Sequence, residues 1–313
     1  MTEHKRLDLV ALGEAMLEFN QVQSEPPLYL QGYGGDTSNA AIAAARAGAR
    51  VAYLTRLGQD HWAERLLGLW HEEGVDSQAV LRDAQAPTGV YFVSHDTQGH
   101  HFSYARAGSA ASRMQPQDLE GAWQHCIADS HWLHVSGISM AISASACETV
   151  LGAMHQARAS GTQVCLDSNL RLRLWTLEQA RAAFAQALPL CDLFLPSLED
   201  MQPLTGLSQA DAIIDWSHAH GAQRVVLKLG DQGARCSEAD QRTSIAGLRV
   251  QALDATGAGD CFAGNLLAQL AAGQDLIEAT RYANAAAAVS VQGYGAVAPL
   301  PRTQQVLALL NAA

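Results

Sequence analysis

The sequence predicts an α/β fold, with a mostly parallel central sheet flanked by helices and a small β lid. Three observations predict it. Strand-like and helix-like segments alternate almost from end to end, the pattern of a parallel sheet with helices on both faces. One region breaks the alternation with two consecutive strand-like runs. The composition, 48% hydrophobic and 16% charged over 313 residues, allows a large buried core.

In chain order, Leu7–Leu12 and Val51–Leu57 have strand character, and Asp36–Ala47 and His61–Glu73 have helical periodicity. Further strands are expected at His131–Ser136, Gln163–Asp167, Leu193–Leu195 and Arg224–Leu229, each followed by a helical segment. The break lies at Gly89–His95 and His100–Arg106, joined by the turn signal Asp96, Thr97, Gln98, Gly99. With the early segment Glu14–Tyr33, this hairpin would build the lid. A single domain over 1–313 is expected, its lid formed from about 14–35 and 79–106. An exposed lid edge could pair with a second lid in a homo-oligomer.

Charge and composition exclude several classes. A net charge of −11 argues against a nucleic-acid or anionic-membrane surface. No stretch approaches about 18 consecutive apolar residues, so no membrane span is expected. The run Leu7–Leu12 follows the N-terminus too closely for a signal peptide, and a cytoplasmic protein is expected. The six cysteines form no Cys-x-x-Cys pair, which suits buried thiols in a reducing compartment. The twelve histidines show no metal-binding spacing.

The most informative stretch is 254–260, Asp-Ala-Thr-Gly-Ala-Gly-Asp, followed by the helical run Cys261–Ala272. Small residues before a helix let backbone N–H groups converge on an anion, and the helix dipole adds to the attraction. An acid closing such a loop can take a proton from an attacking hydroxyl, and phosphoryl transfer needs mainly positioning and charge neutralisation. A plain helix start with Asp260 as a first-turn acid accounts for the glycines equally well. There is no Gly-x-x-x-x-Gly-Lys-Ser/Thr, which excludes a P-loop. Nor does Gly-x-Gly-x-x-Gly follow an early strand, which weakens a dinucleotide-binding reading.

The stretch 254–260 resembles the C-terminal signature of the ribokinase-like (PfkB-type) carbohydrate kinases. The resemblance implies that Gly257, Ala258 and Gly259 form an anion hole and that Asp260 is the catalytic base. It extends along the chain. The run 34–39 (GGDTSN) resembles the substrate loop, and 228–233 (KLGDQG) the nucleotide loop after a late strand. Tyr282 and Asn284 resemble the segment flanking adenine, and 197–200 (SLED) the polar cluster near the ATP phosphates and Mg2+.

Within that family, four features resemble 2-keto-3-deoxygluconate kinases: Asp36-Thr37 after Gly34-Gly35; Tyr104-Ala105-Arg106, with the run 109–111 (SAA) after it; 135–142 (VSGISMAI); and 167–175 (DSNLRLRLW). Ala105 and Ala107 depart from the larger residues of many relatives. The resemblance implies an acidic sugar and ATP as partners. Sugar contacts would come from Gly34, Gly35, Asn39, Tyr91, Tyr104, Arg106, Arg171 and Asp260. ATP contacts would come from Asn169, Ser197, Lys228, Gly230, Gly233, Gly257, Gly259 and Asn284. It further implies Mg2+ at Glu199 and a monovalent cation such as K+ at Asp254. On the residues alone, Tyr91 and Tyr104 suit cross-strand packing, and Arg171 suits a surface pair. Arg106 and Arg171 also suit a carboxylate, which a guanidinium holds bidentately. The run 167–175 equally resembles fructokinases, whose sugar is neutral. A non-catalytic sugar-binding regulator on the same fold would have little need of Asp260 beside the anion loop.

Overall fold

The computed structural model describes residues 5–23, 25–96, 99–238 and 241–312. Its strands are β1 (Leu7–Leu12), β2 (Met16–Gln23), β3 (Leu28–Gly34), β4 (Val51–Leu54), β5 (Arg56–Gly58), β6 (Val75–Asp76), β7 (Leu81–Asp83) and β8 (Val90–Asp96). They continue as β9 (Gly99–Ala105), β10 (Ser130–Ser136), β11 (Gln163–Asp167), β12 (Leu193–Leu195), β13 (Arg224–Lys228), β14 (Gly233–Glu238) and β15 (Gln241–Ala246). The helices are α1 (Asp36–Arg46), α2 (His61–Glu73), α3 (Ala122–Ala128), α4 (Gly137–Ala141), α5 (Ala144–Ala159) and α6 (Leu177–Ala187). After them come α7 (Leu198–Thr205), α8 (Ala210–Ala219), α9 (Ala258–Ala271), α10 (Leu276–Ser290) and α11 (Thr303–Ala312).

The central sheet runs β15-β14-β13-β12-β11-β10-β1-β4-β6. It is parallel from β13 to β6 and antiparallel only at the β13-β14-β15 end. Successive residues of a strand point to opposite faces. Leu9, Ala11 and Val226 therefore enter one core, with α1, α2, α9 and α10. Val10, Leu12, Val225 and Leu227 enter the other, with α3, α5, α6, α7 and α8. Each fully buried valine or leucine among them contributes about 1.5–3 kcal/mol. Two buried indoles also fasten elements together: Trp70 Nε1 donates to Ser38 Oγ at 2.9 Å, and Trp123 Nε1 to the Ala79 carbonyl at 2.8 Å.

Strand order reverses around β1: the chain goes from β1 to β4 on one side and later to β10 on the other. The carboxyl ends of parallel strands beside such a reversal form a crevice, the usual ligand position in an open α/β sheet. Above it stands a four-stranded sheet in the order β3-β2-β8-β9.

The structure departs from the expected elements at three places. The expected strand Val51–Leu57 is two strands, since β5 leaves the main sheet to pair with β7. Arg56 holds that exchange, bridging Asp118 at 2.5 Å and Asp83 at 3.4 Å. Residues 79–89 add no strand to the lid sheet, which is built from β2, β3, β8 and β9 alone. The hairpin β14-β15 had no counterpart among the expected strands. Asp96 pairs with Gly99, as the turn signal requires, but Thr97 and Gln98 of that turn lie outside the described residues.

Candidate active site

The crevice receives its side chains from the ends of successive strands. Glu14 follows β1, Asp167 ends β11, Ser197 follows β12 and Lys228 ends β13. Two helices, α1 and α9, point their first turns at the same place.

The start of α9 is shaped by Asp254. Its Oδ1 accepts from the Thr256 N–H at 2.9 Å and the Thr256 hydroxyl at 2.6 Å, and its Oδ2 accepts from the Gly295 N–H at 2.8 Å. The chain then turns through Gly257 at φ 74°, a left-handed conformation natural to glycine. The Ala258 N–H bends back to the Ala255 carbonyl at 3.1 Å. Gly259 and Asp260 occupy the first turn of α9, where backbone N–H groups lack intrahelical acceptors and the dipole favours an anion.

Asp260 is half-buried, and its Oδ2 accepts from Asn39 Nδ2 at 2.8 Å. Asn39 lies in the first turn of α1, and its Oδ1 is buried with no protein donor in reach. The α1 start exists because Gly35, at φ 110°, packs where a Cβ would stand 2.3 Å from the Glu14 carbonyl oxygen. Burial raises the Asp260 carboxyl, and Asp36 and Asp167 raise it further against the pull of Asn39 and Lys228, to about 8. Asp36 is itself buried and raised, first by burial and also by Asp167, while Ser136, the Thr37 backbone and Arg106 oppose the rise.

On the other side of the α9 start, Lys228 Nζ donates to Asp167 Oδ2 at 2.6 Å. The same ammonium lies 3.6 Å from where a Cβ on Gly259 would be. Burial pulls Lys228 down, but Asp167, Asp200 and Asp260 more than offset it, so the lysine stays charged. Ser197 caps α7 by accepting from the Asp200 N–H at 3.1 Å. Asp200 Oδ2 accepts from the Ser168 hydroxyl at 2.7 Å.

The lid side is aromatic and charged. Tyr91 donates to Glu18 and stacks on Tyr104, with ring centroids 5.6 Å apart. Its ring fills the space beside Gly34, where any Cβ would collide with the phenol. Burial, with Glu18 beside it, pushes the Tyr91 hydroxyl up. Arg106 is ion-paired with the buried Glu14 and lies over the Tyr104 ring at 5.7 Å. Glu14 also accepts from the Ser109 hydroxyl at 2.6 Å, yet burial still raises its carboxyl.

Of the residues singled out from the sequence, Asn39, Asp260, Gly257, Ala258, Gly259 and Lys228 meet around one point. Asn169 joins them, with Nδ2 donating to Asp36 Oδ2 at 3.0 Å. Gly34, Tyr91, Tyr104 and Arg106 line the lid side. Arg171 is exposed, 3.8 Å from Asp200. Glu199 is exposed at the start of α7, beside the inward-turned Asp200. Gly230 and Gly233, at φ 63° and 95°, form the turn into β14, and Asn284 Nδ2 reaches the Ala246 carbonyl at 3.4 Å. Sequence reasoning missed Glu14, Glu18, Asp36 and Asp167 as site acids. Asp36 and Asp167 stood inside quoted motifs, and their positions at a helix start and a strand end were the available signal.

Mg2+ commonly takes one or two carboxylates together with substrate phosphates. Asp200, with the exposed Glu199 beside it in the first turn of α7, fits that use, and among the described residues no group of three His, Cys, Asp or Glu stands ready to hold a metal ion. Asp254 does not fit a cation so directly, since both of its oxygens already accept hydrogen bonds.

A helix start with open backbone N–H groups and a raised carboxylate beside it, at the switch point of a parallel sheet, is the arrangement that phosphoryl transfer to a hydroxyl requires. The chain belongs to the pfkB family of carbohydrate kinases, whose model matches residues 6–303. It is an ATP-dependent sugar kinase. It is 30% identical over 302 residues to the 2-dehydro-3-deoxygluconokinase of Escherichia coli, covering 93% of this chain and 97% of that one. Fructokinase-1 of Zea mays is also 30% identical, over 321 residues, covering 97% and 98%. The structure of a fructokinase with bound ATP from Xylella fastidiosa superposes with a TM-score of 0.89 at 27% identity, covering 97% and 98%.

Proposed function

We propose that the chain phosphorylates 2-keto-3-deoxygluconate (2-dehydro-3-deoxygluconate) to its 6-phosphate. Asp260 takes the proton of the attacking hydroxyl while Asn39 holds the carboxylate. The Gly257 and Gly259 N–H groups and Lys228 receive the charge of the transferred phosphoryl group, the expected Ala258 N–H being already bonded to the Ala255 carbonyl. Ser197, Asn169, Gly230, Gly233 and Asn284 border the nucleotide. Bound Mg2+ would neutralise phosphate charge, held through Asp200 or its neighbour Glu199. Gly34, Gly35, Tyr91 and Tyr104 enclose the sugar, with Arg106 and Arg171 facing its carboxylate.

The observation that carries this reading is the hydrogen bond from Asn39 to a carboxyl raised to about 8 at the start of α9. Such a base is matched to a hydroxyl proton near neutral pH. For the acid sugar in particular, the support is Arg106, fixed on the lid side beside Tyr104.

A second reading, fructokinase, has its own observation. Glu14 already neutralises Arg106, which lowers the attraction for an anionic sugar. An ADP-release assay over acidic and neutral ketoses separates the two. A higher kcat/KM for 2-keto-3-deoxygluconate than for fructose supports the acid-sugar reading, and the reverse order replaces it.

A further inference from the structure

The buried Asp167 stands at the end of β11, between the nucleotide side and the sugar side of the crevice, and uses its two oxygens differently. Oδ2 accepts from Lys228 Nζ at 2.6 Å, and Oδ1 accepts from the Asn169 N–H at 3.1 Å. The second bond closes a turn in which Asn169 takes φ 27°, the one positive φ of a non-glycine residue among those described. A residue so placed is strained unless its surroundings hold it. Held there, Asn169 donates through Nδ2 to Asp36 Oδ2 at 3.0 Å. Asp36 opens α1, whose first turn also carries Asn39, the donor to Asp260 at 2.8 Å.

We propose that Asp167 is a positioning residue for phosphoryl transfer: it holds the Lys228 ammonium over Gly259 while fixing the turn that braces the sugar-side helix. The proposal rests on Lys228 serving the nucleotide phosphates, as set out under the proposed function. Lysine is a flexible point charge on a four-carbon stem with three donors. Without a fixed acceptor its ammonium has no reason to stay above the anion loop. Asp167 is 3% exposed, and the Lys228 side chain 15%. A carboxylate this enclosed can set where the ammonium sits, as a surface partner could not. The remaining Lys228 donors are free to meet a phosphate while the Asp167 contact persists.

Asp167→Asn tests this selectively. The amide oxygen can still accept from the Asn169 N–H, whereas the amide nitrogen cannot accept from Lys228. Steady-state kinetics on the full chain should show kcat/KM for ATP falling about 10- to 100-fold, within the range that misplacement of a catalytic group produces. The KM for sugar should move by less than about threefold, with thermal stability near wild type. Lys228→Met should lose at least as much. The double variant should be no worse than Lys228→Met alone, because Asp167 acts through the lysine. Wild-type kinetics for Lys228→Met would overturn the nucleotide role of the lysine itself. An impaired Lys228→Met with an unaffected Asp167→Asn, or with losses that add, would overturn the role of Asp167 alone. If Asp167→Asn does not fold, Asp167→Glu carries the test. It keeps the charge but displaces it by one methylene, and should lose at least about fivefold in kcat/KM for ATP; wild-type values overturn the proposal.

Discussion

Gly264→Ala should damage catalysis out of proportion to stability, because this glycine sets the distance between the helices that carry Asn39 and Asp260. A Cβ on Gly264 would lie 2.1 Å from the Ala40 carbonyl oxygen and 2.8 Å from the Ala43 methyl. Ordinary contact begins at 3.4 Å, so α1 and α9 must part by about 1.3 Å. Asn39 immediately precedes Ala40, and Asp260 lies one turn before Gly264. The 2.8 Å bond between them would then open to about 4 Å, outside hydrogen-bond range. Overpacking costs about 1–3 kcal/mol, while alanine in a helix interior recovers about 1 kcal/mol. The net loss is about 0–2 kcal/mol, a Tm fall of at most a few degrees. Displacing a catalytic group by about 1 Å can cost about 100-fold in rate. Gly68→Ala in α2 is the control, since a Cβ there meets nothing within 4 Å; it should raise Tm and leave kcat unchanged. Thermal unfolding and kcat at saturating substrates read both variants. If Gly264→Ala keeps wild-type kcat and gains stability as Gly68→Ala does, the coupling between packing and the base is wrong.

The raised Asp260 carboxyl predicts that kcat/KM for sugar climbs with pH toward about 8, because only the ionised form is a base. Asp36→Asn removes a neighbouring negative charge and should shift that rise to lower pH; an unmoved profile would exclude the coupling. The stability effect has the opposite sign: a folded-state pKa above the unfolded one gives stability that is lost as pH rises through about 8. Asp260→Asn should therefore lose less Tm than wild type between pH 6 and pH 9. Arg106→Gln or Arg171→Gln should raise KM for 2-keto-3-deoxygluconate by roughly 10- to 150-fold, the worth of a charged hydrogen bond of about 1.5–3 kcal/mol. Fructose should be much less affected, and equal losses on both sugars would remove the arginines from carboxylate recognition. The lid strands β8 and β9 should exchange backbone hydrogens more slowly with sugar bound; protection by ATP alone would contradict a sugar-closing lid.

The legible parts of this protein are the local ones. The run 254–260 carries its turn, its helix start and its acid within seven consecutive residues, so its chemistry could be read without the fold. Period-2 and period-3.6 patterns likewise located α1, α2 and most of the parallel strands. What escaped depended on contacts distant in sequence. The Asn39–Asp260 bond joins residues 221 positions apart, and it exists because Ala40, Ala43 and Gly264 let two helices touch. The break between β4 and β5 follows from Arg56 meeting Asp83 and Asp118, partners that no local pattern marks. The sequence marks Arg106 as a candidate carboxylate partner but gives no sign of its ion pair with Glu14, which follows β1 far back in the chain. The β14-β15 hairpin overlaps the run 228–233, where the glycines drew attention to a loop and away from the strands around it.

The central claim, that Asp260 is the base of a sugar kinase, is tested most directly by kcat of Asp260→Asn with 2-keto-3-deoxygluconate and ATP. Asparagine keeps the size of the side chain and its oxygen can still accept from Asn39, so only the basic carboxylate is lost. The account predicts a fall in kcat of about 10²–10⁴ with little change in ATP affinity. A variant that keeps more than half of wild-type kcat would contradict it.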